Sequence, residues 1–364
     1  MTTTSVEPVA KPLDLPDLRR RVDAVLYRFL QTKAAAAAAR NLPGQAAQVL
    51  AEFFTTGGMR LRPVLCVLGW QAASGALPPK PVVRVAAAVE MFHACYVIHD
   101  DLIARSHTRR GHATVHRTLA RQYEAGRPGP LAERLGTACA LLIGDLALSW
   151  SDELLHTAGL TGRQLAAVLP FMDAMRAEVI HGRYLDVTAA GAPTADLERA
   201  MAIIRFKTAT YTVERPLRLG AVLGGAREAL LRELSAYAIP LGEAFQLRDD
   251  LLGVFGDPKV TGKSHVEDLR DGRHTMLVAL ALRDASPRHA AILRRQIGNP
   301  RLTAAEAAQV RDILTVTGAR AQVEEMIAER RARVLRLLSS ARCIRPVAQP
   351  ALRRLADTAT RRTS

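Results

Sequence analysis

His93-Ala94-Cys95-Tyr96-Val97-Ile98-His99-Asp100-Asp101-Leu102-Ile103 is an apolar helical run that ends on two adjacent carboxylates, and Arg109-Arg110-Gly111 follow it closely. Burying an acidic pair in such a helix is costly. The cost becomes reasonable where a hard divalent cation stands between the carboxylates and a phosphate. A second stretch repeats the pattern: Phe245-Gln246-Leu247-Arg248-Asp249-Asp250-Leu251-Leu252-Gly253 again carries an acidic pair on an apolar helix. Two such pairs read as two walls of one metal-diphosphate site. The bland alternative for the first is a solvated helix end, but acids at a helix C-terminus oppose the dipole.

Outward from these runs the periodicity is helical. Leu18, Val22, Val25, Leu26 and Phe29 fall on one face, and the run Ala34–Ala39 reads as a helix end. Gly57-Gly58 breaks the chain, and Pro63 suits a first helical turn. Helices are expected near 64–75, 81–105, 131–160, 163–190, 195–225 and 228–252, then near 275–285, 287–297, 304–315 and 318–341. Between them, a loop with Gly256, Pro258, Gly262 and Gly272 is long enough for a functional flap. No segment alternates as a strand. The expected fold class is all-α: one large helical domain over 16–345, between a disordered tail at 1–15 and a basic tail at 346–364 that holds a short helix.

Composition excludes several classes. Hydrophobic residues at 49% and charged residues at 23% of 364 describe an ordinary globular chain. The net charge of +15 would suit nucleic acid or an anionic surface, but the arginines are spread along the chain rather than gathered into a footprint. Aromatics at 4% offer few stacking platforms for single strands. No nucleic-acid partner is expected. Cys66, Cys95, Cys139 and Cys343 show neither metal spacing nor close pairing, which reads as buried thiols in a reducing cytoplasm. The polar start, Met1 to Pro16, is not a signal peptide, and apolar runs fall short of about 18 residues or are interrupted. A soluble cytoplasmic protein without stable membrane insertion is expected.

The chemistry-bearing residues extend the two walls. His93 and Asp100 lie two turns apart on one helix face; one turn beyond Asp100 stands Ala104 rather than a further acid. Mg²⁺ is usually held by one or two carboxylates plus substrate phosphates and waters, so Asp100 and Asp101 suffice. Arg109 and Arg110 can pair with those acids, or clamp a diphosphate in a fork that lysine cannot reproduce. Gln246 lies about one turn before Asp249 and Asp250, Lys263 follows Gly262, and Lys207-Thr208 forms a further pair on a helix.

Taken together over roughly 50–285, these motifs resemble the trans-prenyl diphosphate synthase family. Gly57-Gly58-Met59-Arg60-Leu61-Arg62-Pro63 is similar to its G-G-K-R-x-R-P. His99-Asp100-Asp101 through Arg109-Arg110-Gly111 resembles the first aspartate-rich motif, and Gly144-Asp145-Leu146 the G-D helix. Gly182 to Asp186 resembles G-Q-x-x-D, Lys207-Thr208 the K-T motif, and Phe245-Gln246 to Lys263 the second aspartate-rich motif with its flap. The resemblance implies an all-α fold around a deep cavity, a homodimer or a heteromer with another synthase, and prenyl diphosphate substrates. It implies Mg²⁺ held by Asp100, Asp101 and Asp249 with Asp250 nearby. Arg109, Lys207, Gln246 and Lys263, with Thr208 beside them, would contact the allylic diphosphate, and Arg62, His93 and Arg110 the isopentenyl diphosphate. Asp100, Asp101, Lys207, Asp249 and Lys263 would carry the catalysis. Tyr96, with Cys95 beside it, would floor the cavity and limit the product to about fifteen to twenty carbons.

Three positions depart from the family's pattern: Met59 replaces its lysine, Ala104 the last aspartate of the first D-D-x-x-D, and Arg183 the glutamine of G-Q-x-x-D. Removing one charge-assisted hydrogen bond to a buried phosphate costs about 1.5–3 kcal/mol. These departures leave two rivals to the synthase: a lyase that ionises one prenyl diphosphate, and a non-catalytic subunit that modulates an active synthase. The retained Arg62, His93 and Arg110 favour the synthase over the first, and the retained Gln246, Asp249 and Lys263 favour it over the second.

Overall fold

A computed structural model describes residues 12–257 and 266–361. The most apolar helix, α4 (Lys80–Ile103), is buried on nearly every side from Val82 to Ile98. A helix apolar all round belongs at the centre, and the others are arranged about it. Against it or near it stand α1 (Leu15–Ala38), α2 (Gln45–Thr55), α3 (Leu61–Ser74), α5 (Val115–Tyr123), α6 (Gly129–His156) and α7 (Gly162–Ala189). The chain continues through α8 (Leu197–Ile204), a π-helical segment (Arg205–Glu214), α9 (Arg215–Leu223) and α10 (Glu228–Phe255). After the short α11 (Glu267–Arg270) come α12 (Met276–Asp284), α13 (Pro287–Gln296), α14 (Ala304–Val316), α15 (Ala319–Ser340) and α16 (Gln349–Arg361). Helix α10 joins two cores: Leu230 to Leu241 pack with the α4 side, and Ala244 to Val254 with α12 to α15.

Small residues set the closest approaches. A Cβ added to Gly69 of α3 would stand 1.8 Å from Leu217 O of α9, and one added to Gly220 of α9 would stand 1.6 Å from Cys66 O of α3. Those two backbones meet directly. Similarly, Gly182 lets α7 rest on the π segment, where an added Cβ would lie 2.5 Å from Lys207 N.

Several details differ from the sequence expectation. Helices α2 and α5 are additional to those expected; α5 buries only Leu119 and Ala120, too few apolar positions to stand out in a sequence. Thr108–Arg109 and His112–Ala113 form a two-residue hairpin across Arg110 (φ 52°) and Gly111 (φ 77°), a turn too short to alternate. Structure begins before 16, since Leu13 is buried and Asp14 caps α1 by accepting from Asp17 N at 3.0 Å. The basic C-terminal segment is not a free tail: Ala351, Leu352 and Ala356 of α16 are buried, and Tyr237 Oη donates to Leu352 O at 2.8 Å. Its arginines hide an apolar stripe of helical period. One helix, Lys80–Ile103, is long and apolar enough to cross a membrane, contrary to expectation, but it forms the interior of the protein. Cys66 and Cys95 are buried as expected, whereas Cys139 is half-buried and Cys343 exposed.

Candidate active site

The first acidic pair sits in the last turn of α4. Beyond it Arg105 turns left-handed (φ 51°) and Ser106 N donates to Asp101 O at 2.9 Å, ending the helix. The hairpin then folds Arg109 back. Its Nε donates to both oxygens of Asp101 at 2.9 Å and its Nη2 to Oδ1 at 2.6 Å, so this buried carboxylate is gripped bidentately. Asp100 has Arg109 Nη2 at 3.7 Å from Oδ2 and faces a second cation more closely: Arg183 of α7 brings its Nε to 2.8 Å from Oδ1. Arg183 also donates to Asp186 one turn on, and Lys207 Nζ donates to the same Asp186 oxygen. Burial pushes the Asp186 carboxyl up, but Lys207, Arg183 and Arg273 outweigh it and hold the group below the usual range.

The second wall begins on the π segment. Thr208 Oγ1 donates to Gln246 Oε1, and Gln246 Nε2 donates to Asp250 Oδ1 at 2.8 Å. Burial pushes Asp250 up to about 7, with Asp249 and Asp268 adding to the rise against Gln246 and Arg273. Asp268, from α11, lies over Gly253: a Cβ there would meet its Oδ2 at 1.9 Å. Arg273 extends the second wall. Asp268 (3.7 Å) and Asp271 (3.4 Å) hold it directly, and Asp186 and Asp100 also raise its pKa. A lysine–threonine pair on one π-helical turn thus serves both sides, and π-helical turns frequently mark functional sites.

A cationic pocket adjoins the first wall. Arg62 lies 4.4 Å from the centre of the Tyr211 ring and donates to Thr212 Oγ1 at 2.6 Å. Arg110 donates to Gly57 O and packs over Gly58, where an added Cβ would lie 2.7 Å from its Nη1. Gly58 has φ 144°, a conformation open to glycine. His93 Nδ1 is 3.2 Å from Tyr211 Oη. Burial, followed by Arg62, Arg110, Arg109 and Arg60, holds His93 well below its ordinary pKa, so the ring is neutral at physiological pH. Arg60 is spent on structure, donating to Asp23 at 2.8 Å and Phe54 O at 2.6 Å. Met59 is exposed beside it.

The structure therefore joins Asp100, Lys207, Thr208, Gln246 and Asp250 in two hydrogen-bonded or ion-paired chains, and gathers Arg62, His93 and Arg110 nearby. Asp101 is taken up by Arg109. Lys263 lies outside the described residues. Cys95 and Tyr96 part company: Cys95 Sγ faces His99 Nδ1 at 3.9 Å, while the Tyr96 ring lies 5.2 Å from that of Tyr211. Its Oη is buried without a hydrogen bond among the described residues, and its pKa is raised well above normal by burial and then by Asp100. Sequence reasoning does not assign Asp186, Asp268, Arg273 or Tyr211 to the site. Asp186 is visible in the G-Q-x-x-D resemblance; the others announce themselves only through contacts across the fold.

Oxygen donors from Asp100, Asp249, Asp250 and Asp268 suit a hard divalent ion. The elevated Asp250 marks acid that a cation would relieve, whereas Asp100 Oδ1 already has the Arg183 guanidinium at 2.8 Å. No three such ligands converge on one point among the described residues, so each wall would complete its coordination with substrate oxygens and water.

An all-α fold with paired acidic helices facing clustered arginines defines a diphosphate-handling class. Residues 44–314 match the polyprenyl synthetase family, and the chain belongs to that family. A geranylfarnesyl diphosphate synthase of Aeropyrum pernix is 30% identical over 235 residues, 64% of this chain and 69% of that one. A (2E,6E)-farnesyl diphosphate synthase of Mycobacterium tuberculosis is 30% identical over 266 residues, 72% of this chain and 68% of that one. Among solved structures, a geranylgeranyl pyrophosphate synthase of Corynebacterium glutamicum, complexed with isoprenyl diphosphate and magnesium, is similar with a TM-score of 0.90. It shares 37% identity, over 96% of this chain and all (100%) of that one.

Proposed function

We propose that the protein is a short-chain trans-prenyl diphosphate synthase, joining an allylic diphosphate to isopentenyl diphosphate. One observation carries the reading: Arg183 and Lys207 converge on Asp186 beside Asp100, while Arg62 and His93 meet about Tyr211 with Arg110 beside them. Two anionic groups can thus be held side by side. Asp100, Asp101, Asp249 and Asp250 would hold Mg²⁺, which supplies charge neutralisation on the leaving diphosphate when bound. Lys207 and Gln246 would bind the allylic diphosphate and stabilise the charge that develops as its C–O bond breaks. Arg109 would join them on release from Asp101, and Lys263 is proposed for the same task from the flap. Arg62, Arg110 and His93 would orient the second diphosphate so that its double bond attacks the allylic cation. The proton lost afterwards passes to the released pyrophosphate.

Tyr96 lies one turn before Asp100 on α4, and its ring is walled by Tyr211 and His93. This supports Tyr96, rather than Cys95, as a floor under the growing chain. Tyr96→Ala is expected to lengthen the main product by at least one five-carbon unit, read by chromatography of the dephosphorylated alcohols. Unchanged product length would remove that role. A homodimer is part of the reading, supported by Leu141, Leu142 and Leu146 standing exposed on α6; another synthase chain is the alternative mate. Four unpaired cysteines suit a cytoplasmic setting.

The deciding test is product analysis of the purified protein with Mg²⁺ and geranyl or farnesyl diphosphate, with and without isopentenyl diphosphate. A longer diphosphate formed only with both substrates is expected. A hydrocarbon or alcohol from the allylic substrate alone would make the protein a lyase, and no product would make it a modulating subunit.

A further inference from the structure

Arg183 occupies an unusual place in the first wall. Its Nε stands 2.8 Å from Asp100 Oδ1, and its Nη1 donates to Asp186. The two members of the first contact are largely buried, their side chains 14% and 16% exposed. Yet neither Nε nor Oδ1 completes a hydrogen bond among the described residues. The contact is charge against charge, off the hydrogen-bond axis. An arginine serving only as a brace would align its fork in hydrogen bonds on one carboxylate, as Arg109 does on Asp101 while lying 3.7 Å from Asp100 of the same helix. Arg183 instead divides itself between acids of two helices, as a bridging metal ion does.

The neighbouring position completes the argument. Ala104, the C-cap of α4, lies one turn beyond Asp100, where a further carboxylate would share an ion with it. Against the family's pattern, the chain thus has one acid fewer a turn beyond Asp100 and one fixed cation more against Asp100 itself. An arginine is suited to this exchange because it stays charged and offers five donors in a rigid fork. With Nε and Nη1 turned to the acids, its remaining N–H groups can meet phosphate oxygens.

The geometry points to Arg183 as a resident cation of the diphosphate site, replacing one divalent ion between Asp100 and the diphosphate. The inference rests on the synthase reading above. Its consequence is that the protein takes up fewer ions with each diphosphate than it would with glutamine at 183 and aspartate at 104.

Calorimetric titration of inorganic pyrophosphate at a series of Mg²⁺ concentrations tests this without turnover. The slope of log affinity against log Mg²⁺ concentration counts the ions taken up. Wild type and Arg183→Lys are expected to share one slope, and the double variant Arg183→Gln/Ala104→Asp to exceed it by about one ion. Arg183→Gln alone is expected to bind pyrophosphate roughly tenfold to a hundredfold more weakly at low Mg²⁺. If that single variant does not fold, the double variant and Arg183→Lys carry the comparison. Equal slopes in wild type and the double variant would overturn the inference. Failure of wild type to bind pyrophosphate with Mg²⁺ would overturn the synthase reading instead.

Discussion

Asp249→Asn is expected to lower kcat by about a hundredfold to a thousandfold while the protein still folds. The substitution keeps shape and removes charge. An amide oxygen is a weaker partner for a hard cation than a carboxylate, and losing one group that stabilises leaving-group charge costs a factor of that size. A second readout comes from Asp250, whose carboxyl is pushed up to about 7 by burial with help from Asp249 and Asp268. Removing one of several crowded like charges relieves repulsion. A loss of turnover with an Asp250 carboxyl that titrates lower, as the neighbouring charge is removed, is therefore the signature. Asp173→Asn, at an exposed position of α7, is the control and should change neither. Turnover of Asp249→Asn within a few-fold of wild type would remove the metal assignment from the second wall.

The largest effect on the fold is expected at the α3–α9 crossing. Gly69→Val should abolish soluble, cooperatively folded protein. The added Cβ alone would stand 1.8 Å from Leu217 O and 2.9 Å from Ala221 N, so helix backbone rather than a flexible side chain must move. Ordinary overpacking costs about 1–3 kcal/mol. Here relief requires separating two helices that carry Arg62 at one end and follow the π segment at the other, and the cost becomes comparable with a whole domain's stability of about 5–15 kcal/mol. Gly129→Ala is the matched control: nothing lies within 4 Å of its added Cβ, and its melting temperature should stay within about two degrees of wild type. A Gly69→Val protein melting near wild type would show that this crossing can open cheaply.

Much of this site is legible in the chain because its parts are local. Asp100-Asp101 and Asp249-Asp250 are conspicuous as acids in apolar helices, Gln246 falls at helical spacing from the second pair, and Lys207-Thr208 stands out as a pair on a helix of its own. What is not legible is partnership. Nothing in the sequence says that Arg109 closes on Asp101 through a two-residue hairpin, or that Arg183 rather than Arg109 stands 2.8 Å from Asp100. Asp268 comes from within the stretch read as a flap and Arg273 from its end, and only the folding of α11 against α10 brings Asp268 to Gly253. The fold shows the same division. Long amphipathic helices declare themselves, while α5 and α16 are obscured by polar residues that outnumber a narrow apolar stripe.

The π-helical segment has a further implication for how this chain tolerates change. Lys207 reaches α7, Thr208 reaches α10, and Tyr211 and Thr212 meet His93 and Arg62 of α4 and α3. Four walls are thus clocked by ten residues, Arg205–Glu214, wound one step looser than an α-helix. Deleting a single residue between Thr208 and Tyr211 would shift the partners on one side of the segment, Lys207 and Thr208, relative to those on the other, Tyr211 and Thr212. The length of this stretch is therefore as much a part of the site as the side chains it carries. The irregularity acts as the timing gear of the enzyme, and insertions or deletions should be tolerated in the surrounding loops instead.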